Sequence, residues 1–556
     1  MKWRLGRWMM ALALTGLFIP SVALSETLER AAEDEETDAP WETSLELGAQ
    51  VFTGWHQQWR RDDHFNVWEL DRAELHGRWT ASLGLRSRML LEAAEAVLNR
   101  AEEIAEIISE ETGKSVAEVL LNEVSGINEY AKVAIKEAEA TLGPEKVSIS
   151  RVAYPGKKAV VESVPRGVVG IIAPWNYPFS IFFKPLFPAL LAGNAVVLKP
   201  SEFTPRTGAW LADRFTEVLG DGLVSVVQGG GDVGAALLES GIDAVTFTGS
   251  VATGRKVAAR AGELLIPHSV ELGGKDAAIV LADCNFERTL AGITQWSLHN
   301  CGQNCGAIER LYIEESIADE FVSRLAALFE KVRVAPEFEY CEIGPLQNPA
   351  QLSTVERHIE DAVNKGAELR AGGERCNASE GLGYRPTLLD HCTDEMDVVR
   401  EETFGPVIAV LRVADEEEAI RRANDSKFGL NGSVWTSDLG RGKAIARRLD
   451  VGIALVNNHA IAGSMANVPW TGTGDTGTGI AASRYSYPTF VRRQTIFVDS
   501  SRGPDPWWFP FNEDTRELSE TLIEFSLGSV FSAIKLAGIA KRRVKAIRQW
   551  VSESGS

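Results

Sequence analysis

The chain has 556 residues, of which 45% are hydrophobic and 24% are charged, and its formal net charge is −20 at pH 7. This composition is typical of a globular protein and excludes general disorder, and the negative charge excludes a protein that coats nucleic acid through an overall basic surface. The six cysteines are too few for a disulfide scaffold, and no C-x-x-C pair is present, so we expect no metal site.

Residues 1–25 have the pattern of a secretory signal peptide. A basic start is followed by an uncharged run over 8–24, with the small residues Ala23 and Ser25 near its end. The pattern predicts export, or membrane anchoring if the segment stays uncleaved. The alternative is an apolar N-terminal helix on a cytoplasmic protein.

Residues 26–84 form an atypical, tryptophan-rich extension. The stretch 65–70 alternates apolar and polar residues, as a half-exposed strand does. We expect a surface appendage to the main domain, and a short hairpin or a fragment of an outer-membrane-like strand pair is the alternative.

The pattern of apolar and polar residues changes at about Leu85. Apolar residues at helical spacing predict one amphipathic helix that stops at Gly113 and a second over 116–142 that ends at Gly143. Short apolar runs then alternate with helical stretches, which predicts a parallel sheet covered by helices. The predicted strands are 168–173, 195–198, 223–227, 244–247 and 269–272. A less regular α/β pattern continues over 277–458.

Beyond Pro504 the sequence predicts a long helical stretch. Its apolar part, 522–536, leads into the basic residues Lys541, Arg542, Arg543, Lys545 and Arg548. We expect this helix to dock on the body with a solvated basic end. The alternative is peripheral contact with an anionic membrane, through this helix or through the N-terminal segment.

Polar or glycine-containing motifs follow the carboxyl ends of the predicted strands. They are Trp175-Asn176, Lys199-Pro200-Ser201-Glu202, Gly229-Gly230-Gly231, Gly249-Ser250 and Glu271-Leu272-Gly273-Gly274. Because ligands of an open parallel sheet bind at that edge, these motifs predict one site.

Two of the motifs favour a dinucleotide. Gly249 and Ser250 lie between a strand and a helix, where free N–H groups suit a diphosphate. Lys199 and Glu202 strengthen this interpretation, because a carboxylate beside the adenosine ribose accepts from its hydroxyls and repels a 2′-phosphate. The pattern therefore favours NAD over NADP, and a plain surface ion pair between Lys199 and Glu202 is the alternative.

A second cluster, residues 300–306, contains Cys301 and Cys305 among small and polar residues. A nucleophilic cysteine needs exposure, a lowered pKa and donors for the oxyanion that it creates, and this glycine-bracketed turn suits those needs. The other four cysteines have no such setting, so we expect them to be inert packing residues.

Together the motifs resemble the NAD(P)-dependent aldehyde dehydrogenase superfamily. The resemblance covers about 85–498 and is carried, in matching order and spacing, by Ala173-Pro174-Trp175-Asn176-Tyr177-Pro178, Lys199-Pro200-Ser201-Glu202, Phe247-Thr248-Gly249-Ser250, Glu271-Leu272-Gly273-Gly274-Lys275, Gly302-Gln303-Asn304-Cys305 and Glu401-Glu402-Thr403-Phe404-Gly405-Pro406.

The resemblance implies a role for each matching residue. Cys305, rather than Cys301, matches the nucleophile, Asn176 matches the oxyanion donor, and Glu271 matches the base that activates water to hydrolyse a thioester. The residues that match the cofactor cleft are Trp175, Lys199, Glu202, Gly229, Gly249, Ser250, Leu272, Glu402 and Phe404.

The chain departs from the family pattern in three places. Pro469-Trp470-Thr471-Gly472 replaces the usual Pro-Phe-Gly-Gly near the substrate entrance, which leaves the substrate class open. Pro185 stands where a lysine common in the family aligns, so no role carries over to Lys184. Residues 1–80 bear no likeness to the family's N-terminal strands.

The resemblance implies a Rossmann-like parallel-sheet cofactor domain, an α/β catalytic domain and a small β oligomerisation element. We divide the chain into the signal-like segment 1–25, the extension 26–84, the cofactor domain 85–271 with an oligomerisation hairpin at 147–161, the catalytic domain 272–466, a return to the cofactor domain with an oligomerisation strand over 467–503, and the helical extension 504–556.

The implied function is NAD(P)-dependent oxidation of a small aldehyde to a carboxylic acid, in a homodimer or homotetramer with no nucleic-acid partner. The alternative is a catalytically impaired, envelope-associated binding or scaffold protein built on the same body. A third hypothesis, acyl transfer to coenzyme A, is disfavoured because it leaves the base Glu271 without a purpose.

Overall fold

The structure is a computed structural model that describes residue 79 and residues 81–151, 154–335, 341–376 and 381–553. The signal-like segment 1–25 and the predicted strand 65–70 lie outside the described residues. None of the helices within the described ranges is long and apolar enough to cross a membrane.

The chain enters the described region through four helices. These are α1 (Leu83–Leu98), α2 (Ala101–Thr112), α3 (Val116–Val119) and α4 (Ile127–Leu142), with a π-helical turn at Leu120–Val124 between α3 and α4. The two predicted helices are therefore each broken. Helix α2 ends at Gly113, whose φ of 72° is the left-handed conformation that glycine adopts without strain.

A small antiparallel sheet begins after these helices. Strands β1 (Glu145–Val147) and β2 (Lys157–Pro165) pair with each other as the hairpin predicted at 147–161, and the last strand of the fold also pairs with β2.

The first parallel sheet has five strands in the order β5-β4-β3-β6-β7. The strands are β3 (Val168–Ile172), β4 (Ala195–Lys199), β5 (Val224–Val226), β6 (Ala244–Thr248) and β7 (His268–Glu271), and the helices between them are α5 (Ser180–Leu191), α6 (Pro205–Leu219), α7 (Gly231–Glu239) and α8 (Val251–Glu263). All five strands lie within one residue of the predicted positions. The strand order reverses beside β3, which opens a crevice at the carboxyl ends of β3 and β6.

The second sheet has seven strands in the order β10-β11-β12-β9-β8-β14-β15, and all but β10 run parallel. Its strands are β8 (Asp276–Val280), β9 (Ile308–Glu314), β10 (Glu368–Ala371), β11 (Thr387–Asp390), β12 (Val407–Val413), β14 (Asn431–Trp435) and β15 (Ile453–Val456). Its helices are α9 (Phe286–Leu298), α10 (Glu315–Phe329), α11 (Pro349–Asn364), α12 (Asp397–Arg400), α13 (Glu416–Asn424) and α14 (Leu439–Ala446). Each sheet has its own apolar core.

The remaining elements complete the fold. Two short ladders pair β13 (Phe428–Gly429) with β17 (Thr473–Gly474) and β16 (Trp470–Thr471) with β18 (Ile480–Ala481), and helix α15 (Tyr487–Phe490) leads into β19 (Val491–Asp499), which pairs with β2. The long C-terminal helix expected beyond Pro504 is instead a hairpin of α16 (Glu513–Ser526) and α17 (Val530–Glu553). The helix is broken because Gly528, with φ of 93°, turns the chain.

Candidate active site

A cavity of about 550 Å³ brings together two of the three predicted catalytic residues, and the third, Asn176, contacts the loop before Cys305. Cys305 and Glu271 both line the cavity, although one precedes β9 of the second sheet and the other ends β7 of the first. Two sheets from distant parts of the chain therefore contribute reactive groups to one space.

A turn with unusual backbone geometry precedes Cys305 in the chain. The preceding turn His299–Gly302 has left-handed φ angles at Asn300 (57°), Cys301 (56°) and Gly302 (67°). A Cβ atom on Gly302 would collide with the carbonyl oxygen of Gly405, so only glycine lets this turn pack against that loop. The strain is localised beside the sulfur, as is common at functional sites.

The pKa of the Cys305 thiol is raised, whereas the sequence predicted a lowered pKa. Burial raises the pKa of Cys305 to about 12, and the nearby Lys184 ammonium opposes that rise. The sulfur is thus a protonated thiol at neutral pH and needs a base in order to react. Cys301 is buried in the second core, and burial raises the pKa of its thiol well above the ordinary value.

Glu271 is suited to be that base. Burial raises the pKa of its carboxyl group to about 7, and Lys184 again acts in the opposite direction. A carboxylate that titrates near neutral pH can both accept and return a proton.

Asn176 lies in the loop after β3 and is 4% exposed. Its side-chain amide donates to the carbonyl oxygen of Gln303 at 3.1 Å, two residues before Cys305. Its own carbonyl oxygen accepts from Asn300 Nδ2 at 2.8 Å. The carboxamide is therefore held against the cysteine loop, and its second N–H is not used by that bond.

Lys184 is a site residue that the sequence analysis missed. It lies on α5, lines the cavity and places its Nζ 5.2 Å from the ring centroid of Trp470. Its charge acts on both Cys305 and Glu271. The motif does not identify Lys184, because Pro185 occupies the position that aligns with the family lysine and Lys184 lies one residue before it.

The crevice beside β3 and β6 contains the predicted diphosphate residues. Ser250 caps the N-terminus of α8, and its Oγ accepts from the Thr253 N–H at 3.4 Å. A Cβ on Gly249 would lie 2.7 Å from Cζ of Phe247, and Gly229 has φ of 144° with Val233 too close for any side chain. Internal packing thus requires both glycines, and the N-terminus of α8 that Ser250 caps is a position that suits a diphosphate.

Lys199 and Glu202 follow β4 at the same edge. Their Nζ and Oε2 atoms are 4.0 Å apart, with Lys199 buried and the Glu202 side chain about half exposed. The ion pair considered as an alternative is thus present, and it leaves the Glu202 carboxylate open to a ribose.

Of the other predicted cofactor residues, Trp175 and Leu272 follow strands of the first sheet, and Glu402 and Phe404 precede β12 of the second. Glu402 accepts from the Gly274 N–H at 3.0 Å, and burial raises the pKa of its carboxyl group to about 8. The rings of Phe404 and Trp175 pack edge to face, with centroids 5.6 Å apart.

The backbone on both sides of these residues is held in place. Leu272 donates from its backbone to the Thr476 carbonyl at 2.9 Å. Glu309 also supports the loop, because its carboxylate accepts from the N–H groups of Thr403 and Phe404 at 2.8 and 2.9 Å while it pairs with Lys275.

A crevice suited to a dinucleotide on one sheet, and a cavity lined by the half-buried Cys305 and by Glu271, together indicate an α/β enzyme that uses a dinucleotide cofactor. The comparisons agree with this class. A family model described as "Aldehyde dehydrogenase family" matches residues 71–496.

Curated relatives match most of the chain. It is 36% identical over 445 residues to a 4,4'-diapolycopene aldehyde oxidase of Methylomonas sp, covering 80% of this chain and 83% of the relative. It is also 36% identical over 428 residues to a putative succinate-semialdehyde dehydrogenase [NADP(+)] 2 of Mycobacterium ulcerans, covering 76% of this chain and 81% of the relative.

Solved structures share the fold. The putative aldehyde dehydrogenase PutA from Anabaena variabilis matches with a TM-score of 0.73 and 33% identity, covering 84% of this chain and 95% of that one. An NAD-dependent aldehyde dehydrogenase from Sinorhizobium meliloti matches with a TM-score of 0.73 and 33% identity, covering 80% and 87%.

The chain therefore belongs to the aldehyde dehydrogenase family. The predicted family, fold class and enzyme class are confirmed: it is an oxidoreductase that acts on the aldehyde group with a nicotinamide dinucleotide.

Proposed function

We propose that this chain oxidises an aldehyde to a carboxylic acid through a covalent adduct on Cys305 that water hydrolyses with the help of Glu271. The observation that carries the proposal is the convergence of both groups on one cavity, with the Lys184 charge acting on each.

The first step forms a bond between Cys305 Sγ and the aldehyde carbon. The thiol proton passes to Glu271, which is ionised in about half of the molecules at pH 7 when its pKa is about 7. The carbonyl electron pair moves to oxygen, and the Asn176 amide and the Cys305 backbone N–H stabilise that oxyanion. The resulting adduct is a thiohemiacetal.

The second half of the cycle needs an oxidant and a water. Glu402, Phe404 and Trp175 would hold a nicotinamide ring, which would supply the two-electron oxidant, a hydride acceptor, that turns the adduct on Cys305 into a thioester. Glu271, having passed its proton to solvent, takes a proton from water. The hydroxide adds to the thioester carbon, the C–S bond breaks, the Cys305 sulfur takes the proton back from Glu271 and the acid leaves.

We propose NAD as the preferred cofactor, with NADP as the alternative. The open Glu202 carboxylate supports NAD, because it would repel a 2′-phosphate at the ribose. The mycobacterial relative is named as an NADP(+) enzyme, which supports NADP as the alternative. The ratio of kcat/KM for NAD to that for NADP decides between them, and we expect Glu202→Gln to lower that ratio.

We propose an apolar aldehyde as the substrate class. The cavity wall includes Phe183, Trp296 and Trp470, and Lys184 is the one Lys or Arg among the described residues that line it. His299 adds no charge, because burial lowers its pKa to about 4. The carboxylate of a substrate would therefore have Lys184 as its one cationic partner in the cavity, and the charge of Lys184 already interacts with Glu271.

The test is NADH formation with a panel of apolar and carboxylate-bearing aldehydes. We expect activity with the apolar members and its loss in Cys305→Ser. Cys284→Ser is the matched control, since Cys284 is half-buried and does not line the cavity. Cofactor binding without turnover in the wild type would favour the scaffold alternative.

We propose that β19 joins two copies of the chain in a homodimer, with a homotetramer as the alternative. Ile496, Phe497 and Val498 on this strand are exposed, and the sheet order leaves one edge of β19 without a partner among the described residues. Exposed edges of this kind pair readily with another chain. Light scattering should give at least twice the 60.6 kDa chain mass, and Phe497→Lys should lower it.

We propose that the hairpin of α16 and α17 contacts an anionic membrane. Its tip exposes Leu527 (83%), Phe531 (86%) and Ile534 (79%). Lys541 lies seven residues, or two helical turns, after Ile534, and Lys545 lies four residues further, so both fall on the face that Phe531 and Ile534 begin; neither forms an ion pair with a described carboxylate. An apolar tip beside free basic residues complements the interior and the headgroups of an anionic bilayer.

Vesicle sedimentation tests this contact. We expect binding to vesicles with phosphatidylglycerol and much weaker binding to pure phosphatidylcholine. Phe531→Ser should lower binding, while Leu265→Ser, which replaces an equally exposed apolar residue elsewhere, should not. Equal binding by all variants to both vesicles contradicts the proposal, and loss of a dimer in Phe531→Ser identifies a second copy as the occupant instead.

We also propose export or membrane anchoring through residues 1–25, with a cytoplasmic location as the alternative. The support is the sequence pattern, since these residues lie outside the described ranges. Cell fractionation with N-terminal sequencing tests it, and an intact Met1 in the soluble cytoplasmic fraction excludes export.

A further inference from the structure

A cluster of three charged side chains, two of them buried, adjoins the loop that carries Asn176. Lys114 follows the end of α2, Glu118 belongs to α3 and Glu123 belongs to the π-helical turn. Lys114 and Glu123 are 5% and 2% exposed. None of the three has a part in the proposed chemistry.

The π-helical turn sets the position of Glu123. Its backbone closes with a bond from the Ser125 N–H to the Leu120 carbonyl at 2.9 Å, and such single wide turns are frequent at functional sites. Glu123 Oε1 accepts from Lys114 Nζ at 2.7 Å. Its Oε2 accepts from the N–H groups of Phe179 and Ser180 at 3.1 and 3.3 Å.

These bonds hold the chain on both sides of the Asn176 loop. Lys114 Nζ also donates to the carbonyl oxygen of Asn176 at 2.6 Å, opposite the bond from Asn300 Nδ2 to the same oxygen at 2.8 Å. Glu123 anchors Phe179 and Ser180, three and four residues later. The backbone on both sides of the Asn176 carboxamide is therefore pinned.

The cluster also reaches the cysteine loop. The backbone N–H of Asn300, one of the residues with left-handed φ before Cys305, opposes the rise in pKa that burial causes at the Glu118 carboxyl group. The oxyanion donor and the nucleophile are thus tied to one set of charges.

Stability alone does not account for such a cluster. A buried ion pair rarely stabilises a fold more than apolar residues of the same volume would. A lysine whose donors go to one carboxylate and to one carbonyl of the catalytic loop is instead suited to fixing geometry, and a misplacement of about 1 Å can cost about 100-fold in rate.

We propose that Lys114 and Glu123 are positioning residues that aim the Asn176 carboxamide at the oxyanion. The inference rests on the proposed role of Asn176 and adds the groups that fix its direction. Removal of the Lys114 donor leaves the Asn176 carbonyl with one anchor and Glu123 with an unpaired charge.

The test is a double-mutant cycle on kcat. We expect Lys114→Met to lower kcat by about 10- to 100-fold with KM for the aldehyde nearly unchanged, as for other groups that orient a catalytic residue. Because Lys114 acts through Asn176, the double variant Lys114→Met/Asn176→Ala should be no slower than Asn176→Ala alone.

Lys275→Met is the matched comparison. Lys275 is an equally buried lysine that pairs with Glu309 and supports the 403–404 loop on the cofactor side. Its effect should multiply with that of Asn176→Ala. If Lys114→Met also multiplies with Asn176→Ala, Lys114 acts on structure at large and the proposal is wrong.

A cofactor-free readout separates this proposal from the proposed function. Hydrolysis of p-nitrophenyl acetate by Cys305 creates an oxyanion at the same place: the sulfur forms an acyl bond, p-nitrophenolate leaves and water releases acetate. The cycle is measured on this reaction as well. Ester turnover with the expected cycle but no NADH formation refutes only the dehydrogenase function, and a wild type silent in both assays refutes both.

If Lys114→Met fails to fold, Glu123→Gln keeps an acceptor for the N–H groups of Phe179 and Ser180. We expect the loss of kcat in Glu123→Gln to disappear when Asn176→Ala is also present, as for Lys114→Met. A thermal melt and cofactor binding equal to the wild type establish that the variant is folded.

Discussion

Lys184→Met should move the acid limb of the pH–rate profile to higher pH. Lys184 is the charge that opposes the burial of Glu271, whose pKa is about 7. An opposite charge at close range lowers a carboxyl pKa by about 1–3 units, so its removal should raise the pKa of Glu271 by about 1–2 units. The ionised fraction at pH 7 then falls from about one half to about one tenth or one hundredth, which lowers kcat/KM about 5- to 50-fold.

The direction of the shift follows from the role of Glu271. The base acts in its ionised form, so activity rises with pH through the pKa of Glu271, and a higher pKa delays that rise. Cys305 responds in the same sense, because Lys184 also opposes its burial. We therefore expect alkylation of Cys305 by iodoacetamide to become slower at every pH below about 9.

The assay is kcat/KM for one aldehyde from pH 5.5 to 9.5. Lys184→Arg, which keeps the charge, should retain the wild-type limb. Lys427→Met is the matched control, because the exposed Lys427 lies 5.2 Å from the Phe428 ring, the same distance that separates Lys184 from Trp470, but outside the cavity. An acid limb unchanged in Lys184→Met would show that Lys184 does not tune the base.

Three further outcomes are expected. Glu271→Gln should lower NADH formation at least about 100-fold with no burst, since the thiol of Cys305 then lacks the base that takes its proton; a burst of about one NADH per active site speaks against this role of Glu271 in the first step. Burial raises the pKa of Glu402 to about 8, so ionisation of this group lowers the stability of the fold as the pH rises above the ordinary pKa of 4.5. Glu402→Gln still accepts from Gly274 but carries no charge. It should therefore melt at a higher temperature than the wild type at pH 9 but not at pH 4. Gly302→Ala should lower the melting temperature by several degrees, because its φ of 67° and the nearby Gly405 carbonyl leave no room for a methyl group, and a wild-type melt contradicts this packing.

The parts of the site that depend on local sequence pattern could be predicted from the sequence. The predicted strands lie where they were expected, because buried parallel strands leave short apolar runs that are easy to recognise. The motifs after those strands, among them Asn176, Gly249 and Glu271, share one edge because parallel strands end together.

The parts that were missed depend on packing over long sequence distances. The pKa of Cys305 was expected to be lowered, but the extent of its burial is set by elements distant in sequence. Lys184 lines the cavity because of the face of α5 that it occupies, which an alignment shifted by one residue hides. Lys114 reaches Asn176 across 62 residues of sequence, and the π-helical turn that holds Glu123 leaves no periodic signal.

The central claim is that the substrate becomes covalently bound to the sulfur of Cys305. The wild-type protein, mixed with an aldehyde and NAD, quenched in acid within the first turnover and digested, tests it by fragment mass spectrometry of the peptide that contains residues 300–306. We expect the mass of the acyl group on Cys305. Acylation of Cys301, or a peptide with no added mass after NADH has formed, would contradict the account.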